Sequence, residues 1–133
     1  MEYSLISKET PLISNLNIVE NISIIKEIDE LMPTKTAQKL ATKYLKKIEL
    51  SDFAFKRPIE CTATQKFHIM LLRALMSRDN FIIVATPLYL INTLKDIKVI
   101  INSMKILNEK NILILDTLSN EIHYEGCRCN IIK

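Results

Sequence analysis

Two short apolar runs separated by one helix-length segment limit this fold more than any other feature. Phe81-Ile82-Ile83-Val84-Ala85 lies between Asp79-Asn80 and Pro87, and Asn111-Ile112-Leu113-Ile114-Leu115 follows it. Continuous apolar, β-branched runs of this length are expected of strands buried on both faces. Between them Leu90, Leu94, Ile97, Ile101 and Met104 recur at steps of three and four, which predicts a helix over residues 88–107. Strand, helix and strand in this order form a βαβ unit, whose crossover leaves the two strands parallel. Beyond it, Glu121 to Tyr124, the turn Glu125-Gly126-Cys127 and residues 130–132 read as a terminal hairpin.

The half preceding this unit is helical. Residues 3–7 read as a strand leading into a loop before Pro11. Ile18, Ile22, Ile25, Ile28 and Met32 predict an amphipathic helix within residues 15–32, stopped by Pro33. In the next helix Ala37, Leu40, Ala41, Tyr44, Leu45 and Ile48 make one face, while Lys35, Gln38, Lys43, Lys46 and Lys47 make the other. Thr34 or Thr36 is the expected N-cap. Residues 49–61 read as a connection, and a third helix starts near Thr62 and carries Phe67, Met70, Leu71, Ala74 and Leu75 to about Ser77. The expected fold class is α/β: one domain over residues 1–133, with a helical subdomain to about residue 78 and an α/β part with a small, mostly parallel sheet after it.

Composition removes several functions. The 133 residues contain one glycine, Gly126. Phosphate-cradling loops of the GxxxxGK[ST] and GxGxxG kinds need several, because backbone must approach phosphate closely and φ must turn positive. No apolar run approaches the roughly 20 residues of a membrane-spanning helix. The start Met1-Glu2-Tyr3-Ser4 lacks the basic segment and apolar stretch of a signal peptide, so a cytoplasmic address is expected. Three cysteines are then expected as thiols. A net charge of +3, from 18 basic and 15 acidic residues without an arginine cluster, gives no footprint for nucleic acid.

A known order of parts runs along the chain. Residues 11–22, PLISNLNIVENI, resemble the phrase that follows the Q-loop in ABC transporter ATPases and leads into their helical subdomain. Residues 41–58, with Tyr44-Leu45 and Lys56-Arg57-Pro58, resemble the helix and approach before the signature motif. ECTATQKFHIMLLRAL, residues 60–75, is similar to the signature phrase ELSGGQxQRvaiARAL and keeps Gln65, Arg73, Ala74 and Leu75. FIIVATP, residues 81–87, stands where the Walker B phrase belongs, and residues 111–118 where the strand into the switch histidine belongs. The resemblance implies a partial P-loop-NTPase-like fold without the Walker A segment.

It also implies where chemistry has been replaced. The Q-loop glutamine falls on Lys8, the signature serine on Thr62, and the signature glycines on Ala63 and Thr64. The Walker B aspartate and catalytic glutamate fall on Ala85 and Thr86, and the switch histidine on Thr117. Family ATPases hold Mg²⁺ and activate water with those groups, so the resemblance implies a protein without ATP hydrolysis, catalytic residues, bound cofactor or metal. A sheet missing a layer exposes apolar surface and an edge. Self-association or a protein partner, a permease or a complete ATPase subunit, is therefore expected. An alternative is a stand-alone homodimeric binding protein whose likeness is only ancestral.

Other candidate residues carry plainer readings. The helix opening at Thr62, Ala63 and Thr64 could attract an anion, but a capped helix without ligand is expected. His68 reads as a surface or half-buried structural histidine. His123, Cys127 and Cys129, with Cys61 distant, have poor zinc spacing and read as an ordinary histidine and thiols. Asp116, at a strand's carboxyl end, could act as acid or base; a polar strand terminus is expected. The lysine-rich face from Lys35 to Lys47 could meet a permease loop or anionic headgroups, and reads more simply as a solvated helix face.

Overall fold

The computed structural model describes residues 3–87, 90, 94–107 and 109–126. Strands β1 (Tyr3–Ile6), β2 (Phe81–Ala85) and β3 (Asn111–Leu115) form one sheet in the order β1-β2-β3, parallel throughout. Helices α1 (Ile18–Asp29), α2 (Thr34–Lys47) and α3 (Ala63–Leu75) lie between β1 and β2, and α4 (Leu94–Ile106) lies between β2 and β3. The βαβ unit is therefore present as the apolar runs predict. Of the expected helical residues before Leu94, Leu90 lies in a turn, its N–H donating to the Pro87 carbonyl, and residues 88, 89 and 91–93 lie outside the described residues.

Helix ends follow local chemistry. Asn17 caps α1, its side chain accepting from Glu20 N–H while the Glu20 carboxylate accepts from Asn17 N–H. The next two free donors, the N–H groups of Ile18 and Val19, donate to the carbonyls of Lys56 and Ala54. For α2 neither Thr34 nor Thr36 is the cap. Pro33 occupies that position without a side-chain bond, and the Thr34 hydroxyl, already within the helix, donates to Glu27 at 2.6 Å. Its far end closes with Glu49 N–H to Lys46 C=O and Leu50 N–H to Leu45 C=O, with Glu49 at φ 60°. That left-handed position usually takes glycine; this glycine-poor chain holds it with an exposed glutamate.

The core centres on α3, where Phe67, Ile69, Leu71 and Leu72 are fully buried. Its buried surface is wider than one amphipathic face because α1 and α2 flank it on one side and α4 and the sheet on the other. Lys110 closes the helix's far end, its ammonium donating to the carbonyls of Ala74 and Ser77 at 3.1 and 2.7 Å.

Strand register decides which side chains share a face. Ile6, Val84 and Ile114 align across the three strands, as do Ser4, Ile82 and Ile112. These point into the core with α3 and α4, and Ile82 and Val84 are fully buried. Alternate residues point to the opposite face, where Leu5, Ile83 and Leu113 align, flanked by Tyr3 and Phe81 at one end and Ala85 and Leu115 at the other. On that face Tyr3 is 52% exposed, Leu5 37%, Leu113 41% and Leu115 51%. The expectation that both runs are buried on both sides is thus corrected: composition matches two-sided burial, but both crossovers place their helices on one side.

The expected terminal hairpin is also corrected in its first half. Leu118–Tyr124 is a 3-10 helix, followed by a turn with Gly126 at φ 80°. The carboxylate of Asp116 holds this helix through the Asn120 amide, the Tyr124 hydroxyl and the N–H of Thr117 just before it, an arrangement that no strand pattern encodes. Residues 127–133, with Cys127 and Cys129, lie outside the described residues.

Candidate functional site

In open parallel sheets, ligand sites form beyond the carboxyl ends of the strands. The register brings four of the sequence-selected positions to that edge: Lys8 follows β1, Ala85 ends β2 with Thr86 next, and Thr117 lies two residues after β3. Thr86 has φ 44°, an uncommon conformation for a β-branched residue, and its N–H donates to Leu115 C=O at 2.7 Å. That bond extends the β2–β3 ladder by one step and fixes the turned residue.

Asp116 supplies a carboxylate at this edge after β3, and three donors engage it. One oxygen accepts from Thr117 N–H and from the Asn120 amide, each at 2.8 Å; the other accepts from the Tyr124 hydroxyl at 2.7 Å. Three donors hold the group as an anchor for the 3-10 helix, which matches a polar strand terminus. His123 lies in that same helix, and among the described residues no group of three His, Cys, Asp or Glu side chains is placed to hold a metal ion.

The signature-like residues stand at the start of α3. The Thr62 hydroxyl accepts from Gln65 N–H at 3.2 Å, and the Gln65 amide oxygen accepts from Thr62 N–H at 2.9 Å. This capping box consumes both polar side chains in helix initiation. Cys61, immediately before it, is buried, and burial pushes its thiol pKa up, against nearby lysines and with Glu60 adding a smaller upward push. A raised pKa opposes the thiolate that reactive cysteines need.

Three polar residues organise the surroundings: Arg73, which the signature-like phrase retains, and Asn21 and Ser103, which sequence patterns passed over. Asn21, fully buried in α1, accepts from Ile13 N–H at 2.7 Å and donates to the carbonyls of Ile13, Leu16 and Asn17. Arg73 reaches from α3 to the carbonyls of Thr10 and Pro11 at 2.5 and 3.0 Å. Together they hold the loop after β1. Ser103 on α4 meets His68, whose Nε2 lies 2.7 Å from the Ser103 hydroxyl. For Asn21 and Ser103 the one sequence signal is a polar residue inside a helical apolar pattern.

His68 is buried, with 8% exposure, rather than at the surface or its border. Residues on α3 opposite Phe67 are covered because α4 packs there. Burial lowers its pKa below 6.5, against a smaller upward pull from a hydrogen bond with the Thr64 backbone. Above about pH 6.5 both folded and unfolded chains carry neutral imidazole. As pH falls below that value the unfolded chain takes up a proton that the folded one resists, so stability falls, by at most about 1.4 kcal/mol per pH unit for one proton. Urea unfolding at pH 7.5 and 5.5 should show this loss in the wild type and a smaller one in His68→Gln. Equal slopes for the two proteins would contradict it.

On α2 the exposed lysines border an open groove of about 350 Å³ lined by Val19, Lys35, Gln38, Lys39, Thr42 and Phe55. Lys47 also contacts the Tyr44 ring, and the Tyr44 hydroxyl donates to Glu109 at 2.5 Å. Burial and the Glu109 carboxylate push the Tyr44 pKa up to about 12. No described helix is long and apolar enough to cross a membrane.

Comparison with known proteins identifies the fold. No protein-family model matches the chain, and no curated protein is significantly similar in sequence. Among solved structures, an ATP-binding cassette in a dimeric post-hydrolysis state bound to ADP and Pi superposes with a TM-score of 0.68. It is 22% identical, and the match covers 90% of this chain and 53% of the cassette. A dimeric structure of a bacterial ABC transporter cassette gives 0.67 at 21% identity, covering 92% of this chain and 55% of the cassette. The chain therefore has an ABC-ATPase-like α/β fold and spans about half the length of the cassettes it matches.

Proposed function

We propose that this chain is a catalytically inactive ABC-ATPase-like protein that serves as a structural or regulatory component, within or beside a transporter-type assembly. The observation that carries the reading is the carboxyl edge of the sheet. Ala85 offers no heteroatom to a metal, and Thr86 and Thr117 are hydroxyls that neither take a proton near neutral pH nor replace a carboxylate as a Mg²⁺ ligand. Lys8 would oppose a divalent cation with its own charge. Thr62 and Gln65 are committed to the helix cap. These residues do not fit Mg-ATP, and no step of hydrolysis is assigned to them.

Scaffold bonds remain where chemistry does not. Asn21, Arg73 and the α3 cap supply the precise polar contacts that hold a cassette-like frame. The described residues of 1–78 and of 79–133, which correspond in sequence to helical subdomain and α/β part, share one buried core, which supports treating them as a single domain. The solved cassettes are described as dimers, and that description supports association as part of the role. Titrating Mg-ATP into the purified protein in a calorimeter should give no saturable heat at concentrations up to the millimolar range. A stoichiometric isotherm that Mg²⁺ strengthens would overturn the reading.

A further inference from the structure

We infer that α2 docks on an anionic bilayer surface, its lysine stripe meeting the headgroups while the Phe55 ring enters the boundary beneath them. Lys35, Lys39, Lys43 and Lys46 recur at steps of four, four and three. At 3.6 residues per turn they fall within about 80° of arc and run about 16 Å along the helix. All four are exposed. Among the described residues the ion pairs are Lys26–Glu30 and Lys47–Glu109, so none of the four is paired with a carboxylate. The acidic side chains bonded to α2 sit off the stripe: Glu27 meets Thr34, and Glu109 meets Tyr44 and Lys47. The helix holds five lysines and no acid, and removing them from the chain's 18 basic residues leaves 13 against 15 acidic. The basic excess of the whole protein therefore lies on this helix.

Phe55 borders Lys35 and Lys39 and is 83% exposed. A single exposed apolar residue needs no explanation, but this one is held outward. The carbonyls of Ala54 and Lys56, on either side of it, accept from the N–H groups of Val19 and Ile18 at 2.9 Å, and Lys56 N–H donates to Phe53 C=O. Fixed backbone thus displays the ring. Basic side chains beside an outward aromatic compose a surface that binds anionic membranes. The stripe holds lysine and no arginine, which separates this occupant from an acidic protein segment. A guanidinium fork grips carboxylates in fixed geometry, whereas an ammonium is a compact, hydrated point charge on a flexible stem, suited to a fluid headgroup layer. The surface does not depend on whether ATP is hydrolysed.

Sedimentation with vesicles tests this, using phosphatidylcholine alone or with about 30 mol% phosphatidylglycerol. The purified protein should sediment with the anionic vesicles and not with the neutral ones, and at about 0.5 M salt, where screening is strong, binding should fall at least tenfold. Lys35→Gln, Lys39→Gln and Lys43→Gln together should weaken it about 100-fold, at roughly fivefold per lysine, with an unchanged circular dichroism spectrum. The chain has no tryptophan, so Phe55→Trp supplies a single reporter. Its emission should shift to the blue when anionic vesicles are added, while that of Leu113→Trp, on the sheet, should not move. No sedimentation, equal sedimentation with neutral vesicles, unchanged binding by the triple variant, or equal emission shifts at the two positions would each overturn the proposal. Binding to a decaglutamate peptide without binding to vesicles would overturn it in favour of an acidic protein segment.

Discussion

Replacing Phe67 with alanine should destabilise the protein by about 3–5 kcal/mol, the range for deleting a fully buried aromatic ring from a packed core. Phe67 is 0% exposed at the first turns of α3, the helix on which both helical layer and sheet converge. Domains of this size are held by only about 5–15 kcal/mol, so the variant should lose much or all of its cooperative urea transition at 25 °C. Phe55→Ala is the matched control. Phe55 is 83% exposed, and its removal should change the transition by less than about 0.5 kcal/mol. If the two variants behaved alike, the placement of α3 at the centre of the core would be wrong.

Asn21→Ala should cost about 2–4 kcal/mol through a different mechanism. The side chain is fully buried and meets four backbone groups, so its loss leaves the Ile13 N–H and the Leu16 carbonyl without their side-chain partner, while the Ile13 carbonyl keeps the Leu16 N–H. An orphaned buried group costs about 1–3 kcal/mol; Ile13 is 41% exposed, so water recovers part of that here, and the void left by the buried side chain adds to the loss. Asn21→Asp should be worse than alanine. It keeps the acceptor for Ile13 N–H but turns a carboxylate oxygen toward the carbonyls, where the amide hydrogens were. Limited proteolysis should then cut within residues 11–17 before the core unfolds. An aspartate variant as stable as the wild type would contradict the hydrogen-bond assignment.

Periodicity and motif order made most of the fold legible. The strands at Phe81–Ala85 and Asn111–Leu115 and the helix opening at Thr62 fall where apolar spacing and capping chemistry place them. What escaped were properties set by the third dimension. Apolar content of a strand does not say which face is covered, so the exposure of Leu113 and Leu115 followed only from both crossovers running over the same side. His68 looked peripheral because α3 was read with one apolar face, and a second layer, α4, covers the other. The 3-10 helix at Leu118–Tyr124 depends on Asp116 gathering three donors, a constellation without a periodic trace. At the candidate site the positions themselves were legible, while the commitment of Thr62 and Gln65 to a cap became visible only from their mutual bonds.

The central claim is a cassette-like frame whose reaction edge has lost its metal ligand and base. Phosphate release from Mg-ATP by the purified chain tests it most directly, measured beside a Thr86→Val variant that removes the last hydroxyl of the β2 end. The account predicts release at the buffer rate for both proteins at every ATP concentration. Saturable release by the wild type, reduced by the Thr86 substitution, would contradict it.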